Sequence, residues 1–339
     1  VDLTQLQHPV IAAPMAGGPS TPELVAAVGE AGGLGHLAAG YKTVDDVRDQ
    51  IERTRALSDR PFGVNVFVPS VMERSRDEAD VAAYRRSLQP LAATLEVELP
   101  QPRWDDTDSY DAKIDLLEEL VVDTVSFTFG CPGAEVVRRL RAVGSQVVVT
   151  VTDADEALAA VREGADALCV QGSQAGGHRG THRVDSIPND LSYVDLLREV
   201  RTVTTVPLIA AGGIASADDV RRAIGLGAAA VQVGTAFLLC PEAGTSAAHR
   251  AGLVEPALDR TVVTRAFSGR PARGLRNALV DAHDAHAPSV FPAVDQVTKP
   301  LRAAAAALED FHQVSLWAGT RWQHVEEQPA ADVVRALAP

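Results

Sequence analysis

The chain has 339 residues, 46% of them hydrophobic, and a formal net charge of -14. That is enough apolar material for one large core or two ordinary ones. The acidic balance and the lack of a dense Lys/Arg cluster exclude a nucleic-acid groove as the leading reading. Aromatic residues make up only 4%, so the core must be built from alanine and branched aliphatics, which suits buried parallel strands.

Read in order, the chain repeats a short apolar strand, a capped helix and a glycine. The first strand is "VIAAPM" (10–15), followed by a helix capped by Thr21 with Pro22 at its first position. "LGHLA" (34–38) is the second strand, and "TVDD" reads as a capping box for helix 43–57. "FGVNVFV" (62–68) is the third strand, 75–95 a helix, and "LPQPRWDDTDSY" a loop before the next helix. "TVSFTFG" (124–130) and "QVVVTV" (146–151) follow as strands four and five, and Thr152 with Asp155 reads as another capping box. "ADALCV" (165–170), "VPLIAAGGI" (206–214) and "AAAVQVGTAF" (228–237) complete the set, with helix 192–200 after the first and Ser216 with Asp219 capping the helix after the second. Eight strands of one type, each leading into a helix, predict a closed (β/α)8 (TIM) barrel over 1–240. The first turn, "PMAGGPSTPE", is not the dinucleotide fingerprint of an open doubly wound sheet.

Beyond residue 240 the rhythm changes. A short hairpin with a basic turn, a Pro/His-containing loop and an alanine-rich helix over 296–319 are expected there. Residues 241–339 therefore read as an extension packed on the barrel, covering part of the reaction face. The loops at 98–112 and 255–295 are placed to close over the pocket.

The start of the chain lacks a basic stretch followed by a long apolar one, and no uninterrupted run of 18 apolar residues occurs. A cytoplasmic protein without a membrane partner is expected. Cys131, Cys169 and Cys240 are far apart and read as reduced thiols. His283 and His286 lack a carboxylate at metal-binding spacing, so no metal is expected.

In such barrels the chemistry sits at the carboxyl ends of the strands. Met15, Asn65, Gln171, His178, Gly212, Gly213, Gln232, Gly234 and Thr235 all fall there. The glycines of strands seven and eight suit a phosphate held by backbone N–H groups. Asn65, Gln171 and Gln232 are amides on otherwise apolar strands, and a flat ligand with polar edges would satisfy them. In "QGSQAGGHRG" (171–180), Gly176 and Gly177 let the backbone approach a ligand, and His178 is the candidate base. His182 is a nearby decoy. Flavin mononucleotide (FMN) fits this set better than a dinucleotide.

These residues lie in stretches that resemble the nitronate monooxygenases, also called 2-nitropropane dioxygenases. The stretches are "APMAGG", "LVAAVGEAGGLGHLAAG", "FGVNVFVP", "VSFTFGCP", "QGSQAGGHRG", "PLIAAGGIA", "AVQVGTAFL", "FSGRPARGLRN" and "WAG", in order along nearly the whole chain. The resemblance implies a TIM barrel with non-covalent FMN contacted by Asn65, Gln171, Gly176, Gly213, Gln232, Gly234 and Thr235, with His178 as the catalytic histidine. It implies oxidation of alkyl nitronates, and of nitroalkanes as a second substrate class, by O2 to a carbonyl compound and nitrite, in a monomer or homodimer. Two positions depart from the family pattern: Gln174 stands where glutamate is common, and Thr320 where glutamine is. Barrel enoyl reductases share the glycine–histidine segment, so an FMN-dependent enoyl-thioester reductase using NAD(P)H is the alternative. A barrel that binds its ligand without turnover is a third reading.

Overall fold

The computed structural model describes residues 3–339. Its strands are β1 (Val10–Ala12), β2 (Gly35–Ala38), β3 (Phe62–Phe67), β4 (Thr124–Thr128), β5 (Gln146–Val151), β6 (Ala167–Gln171), β7 (Gly177–His178), β8 (Leu208–Ala211), β9 (Ala230–Val233), β10 (Thr261–Thr264) and β11 (Ala272–Leu275). Eight of them form one parallel sheet in the order β1-β9-β8-β6-β5-β4-β3-β2. A parallel bridge between Ile11 and Leu34 joins its two ends, with Ala12 N–H donating to Leu34 O at 2.9 Å and Leu34 N–H to Val10 O at 3.0 Å. The barrel is closed, and all eight expected strands are in it.

Alternation along the strands separates two environments. Leu168, Val170, Val231 and Val233 pack outward against the helices. Ile11, Val148, Ala167, Cys169, Ile209, Ala211 and Ala230 fill the inside of the barrel with Leu3. The same inner set continues upward into polar residues, so Asn65, Gln171 and Gln232 converge on the barrel axis. Gln171 pairs with Ala211, and Ala211 with Gln232, at one level.

Helix Val44–Leu57 begins at the expected capping box of Thr43 and Asp46, and Ser216 caps Ala217–Gly225 as expected. The box at 152–155 lies one residue later. Asp153 caps Ala154–Arg162, and Glu156 reaches back to Thr152 N–H at 2.6 Å. The expected helix 75–95 is two helices, Arg74–Ser87 and Gln89–Thr94, the second starting just before Pro90.

After β9 the helix Ala330–Leu337 takes the outer layer of the barrel. Ala330, Val333, Val334 and Leu337 join the same core as helix Pro22–Glu30. The expected helix 296–319 is shorter and starts earlier, at Ala293–Ala307. Glu309 then adopts a left-handed φ of 56°, and the rest of that stretch is irregular. β10 and β11 form the expected hairpin, and β7 adds to it antiparallel as a third strand. No helix among the described residues is long and apolar enough to cross a membrane. Cys131, Cys169 and Cys240 are free thiols.

Candidate active site

A cavity of about 550 Å³ opens at the carboxyl ends of the strands. Every expected site residue borders it: Met15, Asn65, Gln171, Gly176, His178, Gly212, Gly213, Gln232, Gly234 and Thr235. They do not all serve it in the same way.

The grip at β8 and β9 is made of main chain. The N–H groups of Gly213, Thr235 and Ala236 make no hydrogen bond within the described chain, while all three residues border the cavity. Gly212 and Gly213 have φ of 101° and 74°, a region that side chains resist. A Cβ on Gly212 would also stand 2.8 Å from Ala175 N, and one on Gly213 2.9 Å from Gln174 Cβ. Gly234 is different: a Cβ there would meet only ordinary contacts at 3.5 Å. The Thr235 hydroxyl accepts from Gly319 N–H at 3.0 Å, leaving its own proton to donate.

Of the three amides, Asn65 is 3% exposed. Its Nδ2 donates to Ser126 O at 3.1 Å and Thr128 Oγ1 at 3.1 Å. The carbonyl partner fixes which end is nitrogen, and Oδ1 makes no bond among the described residues. Gln171 is spent otherwise. Its Nε2 donates to His178 O at 2.9 Å and its Oε1 accepts from Gly180 N–H at 2.8 Å, so it braces the backbone that carries the imidazole.

Gly176 serves packing. A Cβ there would stand 2.5 Å from the Ala318 carbonyl carbon and from Gly319 N, so "AGG" and "WAG" lie backbone against backbone. Gly177 has φ of 74° with nothing within 4 Å of a Cβ. The expected glycine loop is thus partly β7, in which His178 pairs with Ala272.

His178 Nε2 lies 2.8 Å from Ser268 Oγ, and its Nδ1 makes no bond among the described residues. Its ring meets Phe129 at 5.5 Å, Phe291 at 6.0 Å and Trp317 at 5.5 Å. Phe67 and Tyr41 extend this wall. Burial, with the Arg270 and Arg302 charges adding to it, pushes the imidazole pKa down to about 3. His178 is therefore neutral near pH 7. Arg270 is itself fully buried, 4.0 Å over the Phe129 ring. It donates to Thr181 O and Ser70 Oγ, both at 2.8 Å.

The aromatic wall, Ser268 and Arg270 carried no expected role. Three of the chain's eight phenylalanines, Phe67, Phe129 and Phe291, gather beside the histidine only in the fold. His182 is structural, with Nε2 3.0 Å from Thr150 O. Gln174 lies outside the main cavity, in a pocket of about 230 Å³ with Arg198, Arg222 and Arg321. The charges acting on His178 are those of Arg270 and Arg302.

The mouth is basic in an acidic protein. Lys42, Lys299, Arg302 and Arg321 border it against one carboxylate, Asp295, which Arg302 holds at 2.6 Å. The 98–112 loop is tied over this rim. Gln296 donates to Asp106 at 2.6 Å, Tyr41 N–H donates to Asp108 at 3.1 Å, and the buried Lys113 pairs with Asp108 at 2.8 Å.

The nitronate monooxygenase family model matches residues 1–339. The chain belongs to the nitronate monooxygenase family. It is 39% identical over 345 residues to the nitronate monooxygenase of Pseudomonas aeruginosa, covering 99% of this chain and 96% of that protein. A probable nitronate monooxygenase of Staphylococcus aureus strain Newman is 34% identical over 336 residues, covering 98% and 94%. Among solved structures, the nitroalkane oxidase of Streptomyces ansochromogenes superposes with a TM-score of 0.95 at 45% identity, over 99% of this chain and 96% of that one. FabK of Thermotoga maritima is more distant, with a TM-score of 0.77 at 28% identity over 99% and 93%. The protein is thus an oxidoreductase of this family, on the family's barrel.

Proposed function

We propose that the protein binds FMN in this cavity and oxidises alkyl nitronates with O2, releasing a carbonyl compound and nitrite. The observation that carries the reading is a half-buried His178, its pKa held low, sharing one cavity with three unpaired main-chain N–H groups. The names of the relatives, nitronate monooxygenase and nitroalkane oxidase, support the substrate class.

The residues fit the cofactor. The free N–H groups of Gly213, Thr235 and Ala236 and the Thr235 hydroxyl suit a phosphate, and the orphan Oδ1 of Asn65 suits an N–H on a ring edge. When bound, FMN would supply the electron acceptor and the reaction with O2. The chain's own residues do the rest. The basic mouth draws in an anion, and the aromatic wall excludes water. His178 offers one ring nitrogen to the substrate while Ser268 holds the other.

An imidazole whose pKa lies near 3 is a weak base. Pre-formed nitronate is therefore the better substrate, and neutral nitroalkane the poorer one. Anaerobic mixing of FMN-loaded protein with both, followed by flavin absorbance, tests this. Bleaching by nitronate, nitrite release on admitting air and slow reaction with nitroalkane are expected. Rapid bleaching by NADH or NADPH, with none by nitronate, would instead identify the enoyl-thioester reductase reading.

A further inference from the structure

The segment 317–320 touches both ends of the cavity. The Trp317 indole lies 5.5 Å from the His178 ring at 53° and meets Phe267 edge-on at 5.3 Å. Two residues on, Gly319 N–H reaches Thr235 in the grip at 3.0 Å. Ala318 N–H donates to Arg273 O, and Thr320 N–H to Gln174 O. The Trp317 carbonyl has one partner among the described residues: Nε2 of His249, at 3.1 Å.

His249 stands on helix Ala247–Val254, remote from β7 in sequence, yet it borders the same cavity and is 8% exposed. A carbonyl accepts only from a protonated nitrogen, so Nε2 carries the hydrogen. Burial pushes the His249 pKa down to about 4, and the donor is present in either protonation state.

We infer that His249 is a positioning residue: it pins the Trp317 carbonyl and so holds the indole against the reacting imidazole of His178. Without this anchor the Trp317 carbonyl loses its one partner among the described residues, and the indole is freer to leave the His178 ring. The charged groups facing His178 are Arg270 beyond Phe129 and Arg302, Lys299 and Asp295 on helix Ala293–Ala307. None of them is bonded to His249, so the substitution leaves that field in place. The inference rests on His178 as the reacting residue, and its first test is independent of turnover.

The test is an NMR titration of 15N-histidine-labelled, flavin-free protein between pH 8 and 4.5, with the His178 signal assigned through H178N. In the unsubstituted protein His178 stays neutral across this range. In H249L its pKa rises by two units or more, into the titrated range, and W317L reproduces the rise. H249Q, which places an amide N–H near the lost Nε2–H, restores the native behaviour. A folded H249L whose His178 still does not titrate overturns the inference. If H249L does not fold, W317L and H249Q decide: an unshifted His178 in W317L, or a shifted one in H249Q, overturns it as well. Failure of nitronate turnover with the NMR shifts intact would count against the proposed function alone.

Discussion

At the β8–β9 end of the cavity the groups offered to a ligand are main-chain N–H groups, those of Gly213, Thr235 and Ala236. At the β7 end they are side chains: His178, with Ser268 behind it and Phe129, Phe291 and Trp317 around it. A main-chain grip holds any anion of the right shape and changes little with pH. A side-chain end has one titrating group whose properties depend on what keeps water out. In the proposed function binding and chemistry thus fall to different materials, and substitutions at the two ends should fail in different ways.

The largest effect is expected from H178N. It removes the reacting nitrogen but keeps a polar side chain of smaller size. Turnover of neutral nitroalkane, which needs the base, should fall about 10²–10⁴-fold, while flavin stays bound. Loss of flavin together with turnover would break the division between the two ends.

The converse substitution is G213V. A branched side chain at φ of 74°, with its Cβ 2.9 Å from Gln174 Cβ, is strained and crowds the Gly213 N–H. Flavin affinity should drop by about 10–100-fold, equivalent to roughly 1.4–2.7 kcal/mol. The fraction that remains loaded should react with nitronate at near-native rate. Fluorescence titration of released flavin, beside single-turnover kinetics, separates the two quantities.

Acid should act on the fold through its buried histidines, while the main-chain end has nothing to titrate. Burial lowers the pKa of His36 to about 4, of His249 to about 4 and of His178 to about 3. In the unfolded chain each returns to about 6.5. Folding therefore favours the neutral forms, and that contribution is fully present above pH 6.5. It is lost as pH falls toward the folded values, because unfolding then takes up protons. For His36 and His249 the loss between pH 7 and pH 4 is about 3 kcal/mol each. Denaturant melts across that range should show stability falling, and H36F, if folded, should remove part of the slope.

The barrel was readable because its signals are local. Eight apolar runs, caps such as Thr43 and Ser216, and glycines after the strands each reflect the residue's own backbone. The amides Asn65, Gln171 and Gln232 converge as expected because strand alternation puts them inside. What each amide does was not readable. Gln171 is consumed by the backbone of His178 and Gly180, a bond across a turn that spacing does not reveal. The wall around His178 was hidden for a related reason: Phe129, Ser268, Phe291 and Trp317 come from four separate segments. The extension was least readable, since its irregular course after Ala307 is set by packing against β7 and β11 rather than by periodicity.

The smallest expected effect sharpens the comparison within two adjacent residues. Gly176 and Gly177 look equivalent in the sequence, yet one is glycine for space and the other for conformation. In G177A the methyl enters open space, so the cost is that of a left-handed alanine, about 1 kcal/mol. In G176A the methyl would stand 2.5 Å from backbone atoms of Ala318 and Gly319, neither of which can rotate away. Overpacking of this kind costs about 1–3 kcal/mol. It also pushes the segment holding Trp317, so His178 should titrate more readily in G176A and not in G177A. Thermal melts rank the costs, and histidine NMR separates the causes. Equal behaviour of the two variants by both measures would mean that the segment yields without disturbing the imidazole, and the dry wall would then need another source of rigidity.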